Sequence, residues 1–81
     1  MESKVDLVRD CLDVMSNRTV ANSFLDKGFK HLTVYGNNLI MVYLSDREIV
    51  PEVEVVEAII STGINVNQIN KKGMTVLNLV L

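Results

Sequence analysis

The 81-residue sequence has no tryptophan, two tyrosines and two phenylalanines, so aromatic side chains can supply little of a hydrophobic core. Aliphatic residues and methionine must form it instead, since hydrophobic residues of all kinds make up 48% of the chain. This composition favours helices that pack through many small contacts. A chain this short forms one small domain that buries roughly two thirds of its potential surface, so we expect no large enclosed active-site cavity.

Long apolar runs and basic clusters are also missing. The longest apolar run, 39–44, is far shorter than the roughly 20 residues of a membrane-spanning helix, so we expect a soluble chain with no membrane partner. Eight basic and ten acidic residues are scattered along the chain and give a net charge of −2. Because no basic stripe could neutralise a run of phosphates, nucleic acid is not an expected partner.

Only one cysteine, Cys11, is present, which excludes an internal disulfide. The N-terminal sequence MESKVDLVRD carries charges where a signal peptide would be apolar. Both observations indicate an intracellular, reducing location, and we expect the cytoplasm.

Two helices are predicted before the first glycine. Ser3 followed by Asp6 resembles a helix-capping arrangement, so a helix should cover 3–16. Its apolar residues recur at helical spacing and predict the core-facing stripe Val5, Val8, Leu12 and Met15. Thr19 can cap a second helix over 19–27, which Gly28 would end. Residues 3–27 are therefore predicted to form a helical hairpin.

A loop and a third helix follow. The stretch FKHLTVYGN, 29–37, has no helical period and contains turn-forming residues, which predicts a turn or short extended loop. Asn38 can then cap a helix over 38–45. Periodicity alone would also allow a buried strand here, but comparison with the later part of the chain favours a helix.

The second half of the chain repeats this order. Pro51 suits the first position of a helix over 51–62, with the glutamates behind it in the first turn. Val53, Val56 and Ile60 form its apolar stripe, with Ile59 beside it, and Gly63 ends the helix. A polar loop follows, and Thr75 opens a last apolar helix.

Corresponding glycines in the two halves are separated by a nearly constant distance. Gly28 and Gly63 are 35 positions apart, and Gly36 and Gly73 are 37 apart, so the second loop is two residues longer. Periods in this range are typical of stacked helix pairs.

The second unit resembles the ankyrin repeat. The similarity lies in G-I-N-V-N at 63–67 and N-K-K-G-M-T-V-L at 70–77. The residues at matching positions are Gly63, Asn67, Gly73, Thr75 and Leu77. Val76 replaces the usual proline and Asn78 the usual histidine, which leaves the histidine's hydrogen bonding in doubt. The first unit matches through Gly28, Gly36, Asn38 at the threonine position and Ile40 at the leucine position.

The resemblance implies an all-α fold, a short ankyrin-like stack of helical hairpins within one domain, 1–81. Residues 3–27 would form the N-terminal hairpin, 28–62 a degenerate repeat and 63–81 an incomplete one. Inner helices 3–16 and 38–45 would pair with outer helices 19–27 and 51–62, and the helix from Thr75 would be an orphan inner helix. Repeats this degenerate, joined by YLSDREIVPEVE, resemble those of poxvirus ankyrin proteins, which implies a host protein as partner and the host cell as location.

The last apolar run should be exposed if no further repeat covers it. It contributes Val76, Leu77, Leu79, Val80 and Leu81, and the ends of repeat stacks normally need a polar capping face. We therefore expect a continuation, a partner or a poorly ordered terminus there, and the run is a candidate for self-association.

No residue pattern predicts catalysis, a cofactor or a metal site. His31 has no second ligand at metal-binding spacing and is interpreted as a loop or core-edge residue. Cys11 lies beside the apolar face of the first helix, where a free cysteine behaves as a small hydrophobe. Glu52, Glu54 and Glu57 are explained by their favourable position near a helix N-terminus. We expect a protein that is not an enzyme.

The leading hypothesis is a protein-binding module whose concave side, formed by loop tips and inner helices, contacts another protein. Its candidate contact residues lie in the two loops: Lys30, His31, Tyr35, Asn37, Asn65, Gln68, Asn70, Lys71 and Lys72. The simpler interpretation of each is a solvated loop residue. The alternative for the whole chain is a truncated remnant of a longer repeat protein with little autonomous function, because repeat stacks need about three units for stability.

Overall fold

The computed structural model describes residues 4–80 as five helices, with no strand in that part of the chain. The helices are α1 (Lys4–Asp13), α2 (Arg18–Lys27), α3 (Leu39–Ser45), α4 (Val53–Ser61) and α5 (Val76–Val80). The prediction of an all-α fold is confirmed. None of the helices within 4–80 is both long enough and apolar enough to cross a membrane. The proposed cap at Ser3 lies outside the described residues.

The turn between α1 and α2 is closed by two side chains. Asn17, with extended backbone, caps α2 by accepting a hydrogen bond from the Val20 N–H at 3.2 Å. Arg18 donates to the Leu12 carbonyl near the end of α1 at 2.7 Å, and the same carbonyl accepts a longer bond from the Met15 N–H at 3.4 Å. The prediction that Thr19 caps this helix is wrong, because Thr19 already lies within its first turn. α1 also ends at Asp13, three residues earlier than predicted.

Asn38 caps α3, as predicted, and also links it to the second loop. Its side-chain oxygen accepts from the Met41 N–H at 3.2 Å, and its amide donates to the Asn65 carbonyl at 2.7 Å. The side chain is buried, so both bonds are sheltered from water. One asparagine therefore fixes both the start of α3 and the position of residues 65–67 beside it.

α4 begins two residues later than the proline signal predicts. Glu52, with extended backbone, stands at the N-cap position, and its carbonyl accepts the first helical hydrogen bond from Val56 at 3.0 Å. The Glu52 N–H donates to the Tyr43 hydroxyl at 3.0 Å. Because this bond holds Glu52 outside the helix, Pro51 precedes the cap and the prediction that it takes the first helical position is wrong.

At the start of α5, Thr75 donates hydrogen bonds, whereas a capping threonine would accept one from the helix backbone. The Thr75 N–H and hydroxyl both donate to the Asn78 side-chain oxygen, at 3.1 and 3.0 Å. Asn78, which stands where the ankyrin pattern has histidine, thus accepts hydrogen bonds from Thr75. The sequence had left the hydrogen bonding at this position in doubt. Of the last apolar run, Val76 and Leu79 pack against the core while Leu77 is exposed. The side chain of Val80 and all of Leu81 lie outside the described residues.

The helices pack around one core. α1 packs chiefly on α4 and also on α2, while α3 packs on α5 and on α4. The predicted pairs, 3–16 with 19–27 and 38–45 with 51–62, are in contact as α1 with α2 and α3 with α4, but α1 packs more extensively on α4 than on α2. The reason lies in the buried faces: α1 buries Val8, Cys11 and Leu12, whereas α2 buries only Ala21 and Phe24. The larger apolar face lies against α4.

The core face of α4 also differs from the predicted stripe. Val55, Ala58 and Ile59 are buried, whereas Val53 and Ile60 are exposed and Val56 is half-buried. The helix VEVVEAIIS is apolar on several sides, so periodicity could not select the face that meets α1. Val8 and Leu12 of α1 and Met15, two residues beyond its end, are buried as predicted, but Val5 is exposed.

A carboxylate ties the two hairpins together at the surface. Asp46, just after α3, accepts hydrogen bonds from the Ser16 N–H at 3.0 Å and the Ser16 hydroxyl at 3.1 Å. Its other neighbour is the Glu48 N–H, at 3.0 Å. These bonds, that from the Ser16 N–H first, lower the pKa of Asp46 below its usual value. The ionised carboxylate therefore stabilises this junction.

Candidate functional site

Two loops with the same backbone geometry lie side by side. In the first loop, 33–37, the Thr33 N–H donates to the Asn37 carbonyl at 2.9 Å and the Gly36 N–H to the Thr33 carbonyl at 2.8 Å. In the second loop, 70–74, the same two bonds recur at 2.9 Å each, 37 positions later, from Asn70 to Met74 and from Gly73 to Asn70. The repeat seen in the glycine spacing is therefore present in the structure of these loops.

The loops are joined directly to each other. The Lys71 N–H donates to the Tyr35 carbonyl at 2.8 Å, and the Asn70 side-chain amide donates to the Asn37 side-chain oxygen at 2.9 Å. A Cβ at Gly36 would lie 3.3 Å from the backbone of Asn70 and Lys71. This close approach fixes the two loop tips as one surface.

Asn70 is the internal support of the second loop and not a contact residue. It is 8% exposed, and its side-chain oxygen accepts from the N–H groups of Lys72 and Met74 at 2.9 and 3.0 Å. With the bond to Asn37, every polar group of its side chain has a partner within the protein. The prediction that Asn70 binds a partner is therefore wrong. Asn37 is half-buried and bonded to it, so Asn37 is also chiefly structural.

Four side chains project from the joined loops and define the tip surface: Val34, Tyr35, Lys71 and Lys72. Val34 is 80% exposed and Tyr35 63%, and both lysines are exposed. The Lys72 ammonium nitrogen lies 6.0 Å from the centre of the Tyr35 ring, at the outer limit of a cation–π contact. Val34 was not among the predicted contact residues. Its position beside Tyr35 at a turn was the available signal.

The tip surface continues into shallow hollows on either side. Tyr35 borders one hollow with Val20 of α2 and Val42 of α3. It borders another with Met74 of the second loop and Leu79 of α5. Lys71 and Val34 border a third, which lies against α2. Tyr35 therefore lies between the hollow lined by α2 and α3 and the hollow lined by α5.

The other predicted contact residues lie around this surface in different settings. His31 is half-buried, and its ring is nearly perpendicular to that of Phe24, with 5.5 Å between the ring centres. The Lys30 side chain passes over Gly63, where a Cβ would lie 3.2 Å from the Lys30 Cε atom. Asn65 is exposed and bonded within its own turn, and Gln68 is half-buried. The structure brings Tyr35, Lys71 and Lys72 together. His31 lines the same hollow as Lys71, whereas Lys30, Asn65 and Gln68 lie apart from these residues.

Cys11, the one thiol, is set in the core. It is 4% exposed, and burial together with the nearby carboxylates of Asp10 and Asp13 raises the pKa of its thiol to about 12. A thiol of this kind is protonated at neutral pH and is a poor nucleophile. Within residues 4–80, no group of three or more histidine, cysteine or carboxylate side chains is placed to hold a metal ion.

The acidic residues are confined to two segments of the chain, although the sequence was interpreted as having scattered charges. All ten acidic residues fall within 2–26 and 46–57, so the two loops, α3 and α5 have none. The basic residues of these regions and the adjoining end of α2 are Lys27, Lys30, Lys71 and Lys72, with His31 between them. The signal was present in the sequence as two acid-free stretches, 27–45 and 58–81.

Comparison with protein-family models, curated proteins and solved structures finds no match for this chain.

Proposed function

We propose that this protein is a non-enzymatic protein-binding module whose binding face is the tip surface with the hollows beside it. The observation that carries the proposal is the exposure of Val34 and Tyr35 on a rigid support. Both side chains stand on a loop held by its own hydrogen bonds and by those of the neighbouring loop. Contiguous apolar surface rimmed by polar residues is typical of interaction sites, and tyrosine is enriched among the residues that dominate binding energy.

The repeated loop and helix unit supports an ankyrin-type arrangement for this module. The two loops have the same backbone bonds, and α3 and α5, which follow them, pack on each other. In such a stack the loop tips and inner helices face the partner together. The proposal takes α3 and α5 as inner helices and places the partner across them, inside a cell. A viral origin with a host partner stays a hypothesis based on the resemblance alone.

Selection from a library of short random peptides displayed on phage tests the proposal. Peptides retained by the wild-type protein should lose most of their affinity for Tyr35→Ala, because truncating a central aromatic residue typically costs about 2 kcal/mol or more of binding free energy. Val50→Ala is the matched control, since Val50 is also highly exposed but lies in the groove between α1 and α4.

Both variants should melt like the wild type, because their side chains are exposed. Peptides that bind wild type and Tyr35→Ala equally, or that lose affinity only with Val50→Ala, would place binding elsewhere on the molecule.

A further inference from the structure

The hollow between α2 and the loop tips is positively charged. Two lysines, Lys27 from α2 and Lys71 from the second loop, line it together with His31. Lys72, the residue after Lys71, lies on the tip surface beside the Tyr35 ring. The hollow thus brings together the ammonium groups of Lys27 on α2 and Lys71 in the second loop, which are 44 positions apart in the sequence.

Among residues 4–80, no carboxylate lines the hollow beside these lysines. Asp26 precedes Lys27 on α2 but does not line the hollow. Asp46 borders the neighbouring hollow, but its oxygens accept bonds from Ser16 and from the Glu48 N–H. The lysines are therefore available to an anionic group from outside the protein.

The same site also contains apolar surface and hydroxyl groups. Leu32 and Val34, 41% and 80% exposed, line the hollow with the lysines, and Thr19 contributes a hydroxyl from α2. The Ser23 hydroxyl also lines it but donates to the Thr19 carbonyl at 3.1 Å. Ammonium and hydroxyl groups suit a carboxylate, while the exposed aliphatic side chains suit an apolar residue beside it. A ligand with both kinds of group would match the site best.

From this arrangement we propose that the tip surface and the hollow bind an acidic segment of a partner protein, in which carboxylates alternate with apolar side chains. The inference rests on the proposed function and gives the chemistry of its partner. One carboxylate would lie between Lys27 and Lys71 and another near Lys72, with an apolar side chain on Val34. A nucleic acid fits less well, because three lysines can neutralise only a few phosphates and the protein as a whole carries a net charge of −2.

The peptides selected by the wild-type protein test this inference through their composition and through charge reversal. They should be enriched in aspartate and glutamate over the unselected library. Replacing these acids by glutamine or asparagine in a synthetic copy should weaken binding about tenfold, as should the double variant Lys71→Glu/Lys72→Glu. The control is Lys4→Glu/Arg47→Glu, which makes the same change in net charge at exposed positions away from the tip surface and should bind normally.

A second double variant, Lys71→Arg/Lys72→Arg, separates charge from folding, because it keeps both positive charges and should keep binding. Neutral or basic peptides that nevertheless depend on Tyr35 would overturn the acidic partner and leave the proposed function standing. If no selected peptide depends on Tyr35, both fail. If a single-stranded oligothymidine binds more tightly than any peptide and with the same dependence on Lys71 and Lys72, the ligand is a nucleic acid and the inference is wrong.

Discussion

Replacing Asn70 by alanine should destabilise the protein more than any other single change in its loops. The substitution removes three hydrogen bonds, two from backbone N–H groups of its own loop and one to Asn37 of the neighbouring loop. Hydrogen bonds contribute about 0.5–1.5 kcal/mol each, and a buried N–H left without a partner costs about 1–3 kcal/mol. Asn70→Ala should therefore lose about 2–4 kcal/mol of unfolding free energy.

This loss is large for a chain of 81 residues, whose total unfolding free energy is expected to be about 4–12 kcal/mol. Urea unfolding followed by circular dichroism measures it as a shift in midpoint at constant slope. Asn67→Ala is the matched control, because Asn67 is an exposed asparagine in the same connection between α4 and α5. Its side chain should contribute less than about 0.5 kcal/mol.

The first loop offers a further check on the role of Asn70. Thr33 occupies the equivalent position there, and its hydroxyl accepts from the Asn37 N–H at 3.1 Å, as Asn70 accepts from Met74. Asn70→Thr should thus keep part of the stabilisation and fall between wild type and Asn70→Ala. Equal stability of Asn70→Ala and Asn67→Ala would refute the reasoning, since it would mean that the second loop does not depend on its buried amide.

Three further predictions concern the loop contact, the surface carboxylate and the buried thiol. Gly36→Ala should lower the unfolding free energy more than Gly73→Ala, because both glycines have positive φ, 81° and 74°, but only a Cβ at 36 would press on the neighbouring loop; equal losses in urea unfolding would argue against the close approach. Asp46→Asn should cost on the order of 0.5–1 kcal/mol near neutral pH, since the bonds to Ser16 are exposed. The folded-state pKa of Asp46 lies below its unfolded value, so this stabilisation is present above about pH 4 and is lost as the pH falls through the folded pKa. The difference between wild type and Asp46→Asn in thermal melts should accordingly shrink in acid, and a difference that grows in acid would contradict the assignment. Cys11, buried and with a thiol pKa of about 12, should react with a disulfide reagent at pH 8 only as fast as the protein unfolds; reaction as fast as in urea would show that α1 is not packed as described.

Local signals predicted the ends of the helices better than the way the helices pack. Gly28, Asn38 and Gly63 act through their own backbone conformation or a bond to a residue a few positions away, so the sequence around them is sufficient. Which helix packs on α1 depends on which of several apolar faces is largest. Because α4 is apolar on several sides, its hydrophobic periodicity does not predict which face meets α1. The delayed start of α4 depends on a bond from Glu52 to Tyr43, a residue of another helix.

The candidate site was predicted in part. Tyr35, Lys71 and Lys72 follow from their places at loop tips, which are usually exposed. Asn70 has the same loop composition around it, yet its side chain points inward because two backbone N–H groups and Asn37 need its polar atoms. The sequence around Asn70 does not show which of these groups its side chain will bond, because Asn37 is 33 positions away. The grouping of Lys27 with Lys71 depends on the packing of α2 against the loops, although the missing carboxylates in 27–45 and 58–81 were visible in the sequence.

Cooperative unfolding bears on the alternative of a remnant with little autonomous function. The core is contributed by four helices together with Met15 and Ile64, so a single sharp transition in circular dichroism is expected. A broad, non-cooperative loss of helix would instead favour the remnant.

The central claim is that the joined loop tips form the binding face, and backbone amide NMR of the labelled protein titrated with a selected peptide tests it most directly. We predict that the largest chemical-shift changes fall in 32–37 and 70–74 and on the exposed turns of α2. Changes centred instead on the groove around Val14 and Val50, between α1 and α4, would contradict it.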